Sequence, residues 1–446
     1  MKRLFLSILS SVLALTAVAQ TVTVSPLPQS VKWGEYAFTN DAQFYIVGAN
    51  TADVDAVNVL TEKLNIVGVS EKVNSKKFPQ AKPIIIGEVD DKAIAKYKKL
   101  IPEKSEAYYL NVSEEQVVIA GNDNRGTFYG VQSFIQVMGA PKVMQCEIAD
   151  YPSVSERGVI EGFYGNPWSQ TDRLRQFDFY GKNKMNIYVY GPKDDPYHRL
   201  HWRQPYPEKE AAQLKELVEA AYKNKVKFVW AIHPACDIVW GKEDYNNIVN
   251  KLNHMYEIGV RAFAVFFDDV SGEGARADMQ KDVMNYLTEE FVHKHSDVEP
   301  LIMCPSEYYK EGSKGDYLST LSKMYHEVRI MWTGNSVVDM IQDHDMQWVN
   351  DRIKRKAFIW LNGEYLTNLN AGPDKVGDYP VFVGERDCIN PQRQEWVIER
   401  NDVTARYTNA KIELAGRGGE DYWQREGDRI SRNGKGEYIF EIEKIK

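Results

Sequence analysis

Two adjacent aspartates, Asp268 and Asp269, are the residues of this sequence best suited to acid–base chemistry. They follow an apolar run at residues 262–267 (AFAVFF) and precede the segment 271–274 (SGEG). Two carboxylates in one site can divide a proton-transfer task when their surroundings separate their pKa values. Hydrolysis of a glycosidic bond requires that division. The residues alone leave two other interpretations open: the pair could bind a hard cation, or one aspartate could cap the following segment.

The apolar run before the aspartates predicts a buried β-strand, and this prediction sets a geometric condition on the pair. Successive side chains of a strand point to opposite faces of the sheet. Both carboxylates can therefore reach one ligand only if the strand ends between them.

The aspartates end one of seven similar runs that begin near residue 151. In each run, β-branched or aromatic residues lead into polar residues, and a segment of helical period follows. The runs are 157–165, 185–195, 227–235, 262–270, 300–308, 328–334 and 356–363. Alternating strands and helices predict a covered parallel sheet. Seven units, with an eighth possible at residues 410–415, favour a (β/α)8 TIM barrel over an open sheet. The active site of such a barrel lies at the carboxyl ends of its strands, where these polar residues should meet.

The rest of the chain divides into three further parts. Residues 20–147 alternate short strands (44–47, 83–87, 108–112 and 117–120) with a helix at 127–138, which predicts a small α/β domain that serves as a scaffold. The barrel, with strands 1 to 7, is assigned to residues 148–363. Residues 364–446 form a divergent, atypical C-terminal segment that could complete the barrel.

Residues 1–19 have the pattern of a signal peptide. Lys2 and Arg3 precede an apolar run, and Ala17-Val18-Ala19 matches the small-x-small cleavage pattern. The apolar run is too short to span a bilayer. We therefore expect an exported protein, periplasmic or secreted, that begins at Gln20 and has no membrane span.

Charge and cysteine content exclude several classes of partner. The net charge is −8 and no block of Lys or Arg occurs, which argues against nucleic acid or an anionic membrane as the main partner. The four cysteines are scattered, and neither CxxC nor HExxH occurs. We expect no disulfide framework, no metal and no cofactor.

Four runs together resemble glycoside hydrolase family 84, the bacterial and eukaryotic O-GlcNAcases and related β-N-acetylglucosaminidases. They are 158–165 (GVIEGFYG), 188–198, 228–234 and 263–274, and the resemblance covers roughly residues 27–362. It implies an N-terminal α/β domain, a (β/α)8 barrel and release of terminal β-linked N-acetylglucosamine from glycans or O-GlcNAc-type glycoproteins. It also implies substrate-assisted retention: the 2-acetamido oxygen of the sugar attacks the anomeric carbon and forms an oxazoline, an exception to the two-carboxylate scheme.

The resemblance also assigns roles to individual residues. Asp268 would orient and polarise the acetamide, and Asp269 would act as general acid and then base. The predicted sugar contacts are Gly162 and Lys193 at the hydroxyls, Tyr308 at the acetamido oxygen, Tyr164, Cys304, Thr333 and Trp360 around the acetamido group, and Asn362 and Asn390 elsewhere on the sugar.

Several of these residues have simpler interpretations. Cys304 could be a small buried hydrophobe and Trp360 part of the core, and Lys193 could pair with one of the two aspartates that follow it. Two nearby acids, Glu161 and Glu307, are expected to be structural ion-pair or hydrogen-bond partners rather than catalysts.

The sequence departs from the family pattern after Asn362. Thr367 stands where an acid for the 4- and 6-hydroxyls is expected, and Glu364 is the nearest carboxylate. Weakened discrimination at C4 is therefore expected. Two alternative functions remain at this point: a catalytically weak or inactive glycan-binding protein of the same family, and an unrelated metal-dependent barrel hydrolase.

Overall fold

The computed structural model describes residues 24–162, 168–193, 195–235, 237–339 and 343–361, together with two short strands near the C-terminus. The predicted signal peptide and the possible eighth barrel strand at residues 410–415 lie outside these ranges. No helix within them is both long and apolar enough to cross a membrane.

The first part of the chain forms a mixed sheet of seven strands with two α-helices. The strands are β1 (Ser30–Thr39), β2 (Gln43–Val47), β3 (Asn65–Ser70), β4 (Lys82–Glu88), β5 (Tyr108–Val112), β6 (Val117–Gly121) and β7 (Lys142–Asp150). The helices are α1 (Val54–Lys63) and α2 (Asn124–Val137). The sheet order is β1-β7-β5-β6-β4-β2-β3. Since β7 ends at Asp150, this sheet extends slightly beyond the boundary predicted at residue 147.

Helix α2 begins where the sequence places a cluster of turn residues. Asp123 caps the helix, its carboxylate accepting a hydrogen bond from the Gly126 backbone N–H at 2.8 Å. The apolar face of α2 packs on the sheet with Phe128, Val131 and Phe134, all fully buried. The local sequence and the tertiary packing thus favour the same element.

Seven parallel strands alternate with helices in the second part of the chain. The strands are β8 (Gly158–Glu161), β9 (Ile187–Tyr190), β10 (Lys227–Ile232), β11 (Ala262–Phe266), β12 (Ile302–Cys304), β13 (Arg329–Trp332) and β14 (Phe358–Ile359). The helices are α3 (Gln170–Lys182), α4 (Glu208–Lys223), α5 (Lys242–Ile258), α6 (Ala277–Glu290), α7 (Tyr317–Leu321) and α8 (Asp343–Ile353). The strands pair in chain order, from β8 at one edge to β14 at the other. The predicted class, a TIM barrel preceded by a small α/β domain, is confirmed, with seven barrel strands in the described residues.

Contacts across the floor of the sheet show that it curls. Glu156 lies just before β8, whereas Arg329 begins β13, near the opposite edge, yet their side chains are 2.6 Å apart. Lys227, at the start of β10, also reaches Glu156 at 2.9 Å. A flat sheet would hold these strands several strand spacings apart, at about 4.8 Å each. The close pairs therefore require the curvature of a barrel.

Alternating side chains of the barrel strands build two separate cores. The outward side chains, among them Tyr188, Phe228 and Phe263, pack against the helices. The inward side chains form an inner core together with two residues beyond the strand ends, Tyr308 and Trp360. The strand residues of this core are Ile187, Val189, Val229, Ala231, Ala262, Ala264, Phe266, Ile302, Cys304 and Met331. Gly158 permits the close approach of β8 to β9, because a Cβ at that position would lie 1.7 Å from the Ile187 carbonyl oxygen. The inner core therefore lies directly beneath any site formed at the carboxyl ends of the strands.

The first domain contacts the barrel through buried and half-buried polar pairs. Lys225 pairs with Asp53 and Asp55, each at 2.6 Å, and Arg157 pairs with Glu106 at 2.7 Å. Arg157 directly precedes barrel strand β8, and Lys225 lies two residues before β10. These contacts therefore lie at the amino ends of the strands, opposite the end where a barrel carries its active site.

Near the C-terminus, the structure describes an antiparallel pair of strands, β15 (Arg429–Arg432) and β16 (Tyr438–Glu441). The sequence did not predict this pair. It is the described part of the segment 364–446.

Candidate active site

Asp268 and Asp269 both lie beyond the end of their strand. Strand β11 ends at Phe266, so the alternation of a strand no longer sends the two side chains to opposite faces. Asp268 is 4% exposed, whereas Asp269 is exposed and has a left-handed backbone with φ of 56°. The sequence predicted a strand end between the two aspartates, whereas the strand ends two residues before Asp268, and the two carboxylates differ in burial.

The buried carboxylate of Asp268 is paired with a lysine. Lys193, from the loop after β9, donates from Nζ to Asp268 Oδ2 at 2.8 Å. Burial alone would raise the pKa of Asp268, but the ammonium of Lys193, together with His233 and the hydrogen bonds that the carboxylate accepts, holds that pKa below its ordinary value. Asp268 is therefore ionised at neutral pH. Its second oxygen, Oδ1, is buried and has no hydrogen-bond partner among the described residues.

Lys193 pairs with Asp268, a partner that was not predicted from the sequence, and its possible partner Asp194 lies outside the described residues. Asp195, one of its two acidic neighbours in the chain, accepts hydrogen bonds from the hydroxyls of Tyr190 at 2.8 Å and Tyr206 at 2.7 Å. Lys193 reaches across to Asp268, beyond the end of β11. The predicted contact of Lys193 with a sugar stays a prediction, but the residue lies at the site.

His233 is a second neighbour of Asp268, and no role was predicted for it from the sequence. It follows β10, and its side chain is fully buried. Its Nε2 lies 2.9 Å from the Asp268 carbonyl oxygen and 3.6 Å from Asp268 Oδ1. Burial lowers the pKa of His233, so the ring is neutral near pH 7. The only sequence signal was its position at a strand end. We refer to Lys193, His233, Asp268 and Asp269 as the charged side of the site.

Four predicted sugar contacts lie together on neighbouring strand ends. Cys304, Tyr308 and Trp360 belong to the inner core, and the Tyr308 and Trp360 rings lie 5.3 Å apart. The Thr333 backbone N–H donates to the Tyr308 carbonyl at 3.0 Å. All four are buried. We refer to Cys304, Tyr308, Thr333 and Trp360 as the apolar side of the site.

A backbone hydrogen bond joins the two sides. The N–H of Phe267, which directly precedes Asp268, donates to the Cys304 carbonyl at 2.9 Å. The polar ends of β11 and β12 are therefore adjacent, as parallel pairing requires. Charged and apolar groups meet at one edge of the barrel, where a ligand could contact both.

Gly162, a predicted sugar contact, is buried directly after β8. The residue before it, Glu161, is held by other side chains. Arg173 binds both carboxylate oxygens of Glu161, at 2.8 and 2.6 Å, and the Tyr188 hydroxyl also donates to Glu161. Glu307 accepts a hydrogen bond from the Lys314 backbone N–H at 2.7 Å. The expectation that Glu161 and Glu307 are ion-pair or hydrogen-bond partners is confirmed.

Three predicted contacts, Tyr164, Asn362 and Asn390, lie outside the described residues, and so do Glu364 and Thr367. Within the described ranges, no group of three or more His, Cys, Asp or Glu side chains is arranged to hold a metal ion. The absence of a metal stays a prediction.

Family models match both parts of the chain. A model described as beta-N-acetylglucosaminidase matches residues 157–367, and one described as glycosyl hydrolase family 20, domain 2, matches residues 21–151. The first match covers the barrel, including both aspartates and the apolar side of the site.

Curated relatives and solved structures agree with these matches. The chain is 31% identical to protein O-GlcNAcase of Mus musculus over 56% of this chain and 27% of that protein. It is 34% identical to protein O-GlcNAcase of Rattus norvegicus over 46% of this chain and 24% of that protein. The solved structure of CpGH84B matches with a TM-score of 0.70 at 34% identity, covering 77% of this chain and 62% of that chain. CpGH84D matches with a TM-score of 0.68 at 29% identity, covering 77% and 60%. The chain spans about a quarter of the length of these curated relatives.

Proposed function

The chain belongs to glycoside hydrolase family 84, the O-GlcNAcase-like family, and from this premise we propose that it is a retaining β-N-acetylglucosaminidase. Its reaction releases terminal β-linked N-acetylglucosamine. The observation that carries the proposal is the pairing of Lys193 with Asp268, which keeps a buried carboxylate ionised beside an exposed second carboxylate.

In the first step, the substrate provides the nucleophile. The acetamido oxygen bonds to the anomeric carbon while the bond from that carbon to the leaving oxygen breaks. Asp269, the exposed carboxyl, donates a proton to the leaving oxygen. The product of this step is a protonated oxazoline ring, because the acetamide keeps its N–H proton and gains positive charge as the ring forms.

Asp268 is suited to stabilise that positive charge. Its Oδ1 is buried and has no partner among the described residues, so it can accept a hydrogen bond from the acetamide N–H. A fixed carboxylate in a site that excludes water stabilises developing charge without reorganising at the moment of reaction. Lys193 keeps the carboxylate ionised and holds its other oxygen in place.

In the second step, water replaces the leaving group. Asp269, now a carboxylate, takes a proton from the water as its oxygen attacks the anomeric carbon and the oxazoline opens. Two successive inversions retain the β configuration. The apolar side of the site, with Cys304 and Trp360 almost fully buried, provides a wall for the acetamido methyl group.

The names of the relatives support O-GlcNAc-type glycoconjugates as the substrate class. The signal-peptide pattern at residues 1–19 supports export, so we include periplasmic or secreted localisation in the proposal. Fractionation of producing cells tests it, since retention of the uncleaved chain in the cytoplasm would contradict export.

The activity is tested with purified protein and two matched chromogenic substrates, an aryl N-acetyl-β-glucosaminide and the corresponding β-glucoside. We expect hydrolysis of the first substrate only, together with strong inhibition by a thiazoline that mimics the cyclised intermediate. Efficient cleavage of the glucoside would show that an enzyme group is the nucleophile. Thiazoline binding without turnover of any N-acetylglucosaminide would indicate a glycan-binding protein instead.

A further inference from the structure

His233 contacts the one peptide group that the two aspartates share. The Asp268 carbonyl, 2.9 Å from His233 Nε2, belongs to the peptide that joins Asp268 to Asp269. A carbonyl oxygen only accepts hydrogen bonds, so Nε2 must carry the proton. The buried ring is neutral, and its Nδ1 therefore carries no proton and has no partner among the described residues. The tautomer of His233 is fixed by the backbone of Asp268.

The orientation of this peptide determines where the second carboxylate lies. Asp269 has φ of 56°, in the left-handed region that non-glycine residues adopt at a cost of about 1–3 kcal/mol. Rotating the peptide between the aspartates would change ψ of Asp268 and φ of Asp269 together. Such a rotation would remove the carbonyl from His233 and move the Asp269 carboxylate.

We propose that His233 is a positioning residue for both aspartates, because its Nε2–H holds their shared peptide and faces the Asp268 carboxylate. The role rests on the proposed function, in which Asp268 stabilises the oxazoline and Asp269 transfers the proton. His233 exchanges no proton with the substrate. It keeps Asp269 in the left-handed conformation from which its carboxyl reaches the leaving oxygen.

A second buried histidine provides a matched control. His198 is as deeply buried as His233, and the two rings lie 6.3 Å apart. The Nδ1 of His198 lies 2.7 Å from the Ala231 carbonyl, which belongs to β10 and not to the peptide between the aspartates. Replacing either histidine by phenylalanine removes one buried hydrogen bond of an imidazole. Only the change at residue 233 releases the peptide between the aspartates.

The test compares leaving groups within each variant. For wild type, His233→Phe and His198→Phe, kcat/KM is measured on N-acetylglucosaminides with an activated nitrophenyl group and with a poor alkyl leaving group. The ratio of the two values is independent of the fraction of folded protein. We expect His233→Phe to raise this ratio by about 10-fold or more, because a misplaced general acid harms mainly the poor leaving group. His198→Phe should leave the ratio unchanged.

Two further variants separate positioning from packing. His233→Gln places an amide N–H near the position of Nε2 and should restore most of the wild-type ratio. The side chain of His233→Asn is too short to reach that position, so this variant should raise the ratio as His233→Phe does. If His233→Phe fails to fold, His233→Asn takes its place in the comparison. Equal ratios in wild type, His233→Phe and His233→Asn would overturn the proposal.

Crystal structures of wild type and His233→Asn distinguish failure of this proposal from failure of the proposed function. If wild type hydrolyses no N-acetylglucosaminide, the proposed function fails. The positioning role of His233 can then still be tested, because φ of Asp269 in the two crystal structures does not depend on activity. We expect φ to leave the left-handed region in the variant. A left-handed Asp269 in both structures would overturn the role of His233.

Discussion

The charged side and the apolar side of the site are held in place by different interactions. On the charged side, Asp268 depends on individual contacts, with Lys193 at 2.8 Å and His233 at 2.9 Å. On the apolar side, Tyr308 and Trp360 are held mainly by packing within the inner core. Electrostatic contacts change sharply when one atom is removed, whereas packing responds in proportion to the volume lost. We therefore expect substitutions on the charged side to change how kcat/KM depends on the leaving group and on pH. Substitutions on the apolar side should lower kcat/KM equally for all leaving groups, or lower the free energy of unfolding.

The largest effects should come from the two aspartates, and these effects should differ in kind. Asp268→Asn should lower kcat/KM by about 10²–10³-fold on every substrate, because the charge that stabilises the oxazoline is lost. Asp269→Ala should cost about 10²–10⁴-fold on poor leaving groups but little on activated aryl groups, which need little protonation. The measurement is kcat/KM over a series of leaving groups, with azide added to the Asp269→Ala assay to look for rescue. Equal losses across the series in both variants would contradict the division of roles.

Lys193→Met should change both stability and pH dependence, since it leaves a buried carboxylate without its counter-charge. Removing one partner of a buried ion pair costs about 3–5 kcal/mol in the free energy of unfolding. In wild type the pKa of Asp268 is lowered, so the pair contributes stability above the ordinary aspartate pKa and loses it as the pH falls through the lowered value. Without Lys193, burial should raise the pKa of Asp268 and move the acid limb of kcat/KM to higher pH.

Lys193→Arg is the control for this pH effect, because it keeps a positive charge at the same position. Its acid limb should stay close to that of wild type even if the rate falls. An unchanged acid limb in Lys193→Met would show that the charge of Lys193 does not govern the ionisation of Asp268.

The barrel strands were predictable from the sequence, whereas three strands of the first domain were not. The run 262–270 contains β11, but the strand ends at Phe266, before the two aspartates. Strands β1 and β3, at opposite edges of the first sheet, and β7, inside it, were missed. The first seven residues of β1 are all exposed, so an edge strand of this kind carries little of the periodic pattern that marks a half-buried strand.

The two sides of the site were also predictable to different degrees. Residue types identified the aspartates, and the family resemblance assigned roles to Tyr308 and Trp360. The pairing of Lys193 with Asp268 joins residues 75 positions apart, and the contact of His233 depends on how far β10 and β11 extend relative to each other. Neither contact leaves a local pattern in the sequence, so each required the folded structure.

A smaller effect is expected from Tyr308→Phe, on the apolar side. The substitution keeps the ring that lies 5.3 Å from Trp360 and removes only the hydroxyl predicted to donate to the acetamido oxygen. Loss of one hydrogen bond of about 1–1.5 kcal/mol corresponds to roughly 10-fold in kcat/KM. The loss should be equal for good and poor leaving groups, and the pH profile should not move. A shift of the acid limb of kcat/KM would show that the Tyr308 hydroxyl influences the ionisation of the charged side.

The smallest effect should come from Thr333→Val, which nearly conserves volume. The fully buried Thr333 hydroxyl donates to the Ser336 carbonyl at 2.8 Å, so the valine variant leaves that carbonyl without its partner. The expected cost is about 1 kcal/mol in the free energy of unfolding, the usual net value of one such bond. The Thr333 backbone N–H still donates to Tyr308, so the wall of the pocket should keep its position. Denaturant unfolding and kcat/KM, measured on the same preparations, test both statements. If kcat/KM falls by more than about 10-fold while stability changes by only the expected amount, the hydroxyl acts on the substrate, and the apolar side does not work by packing alone.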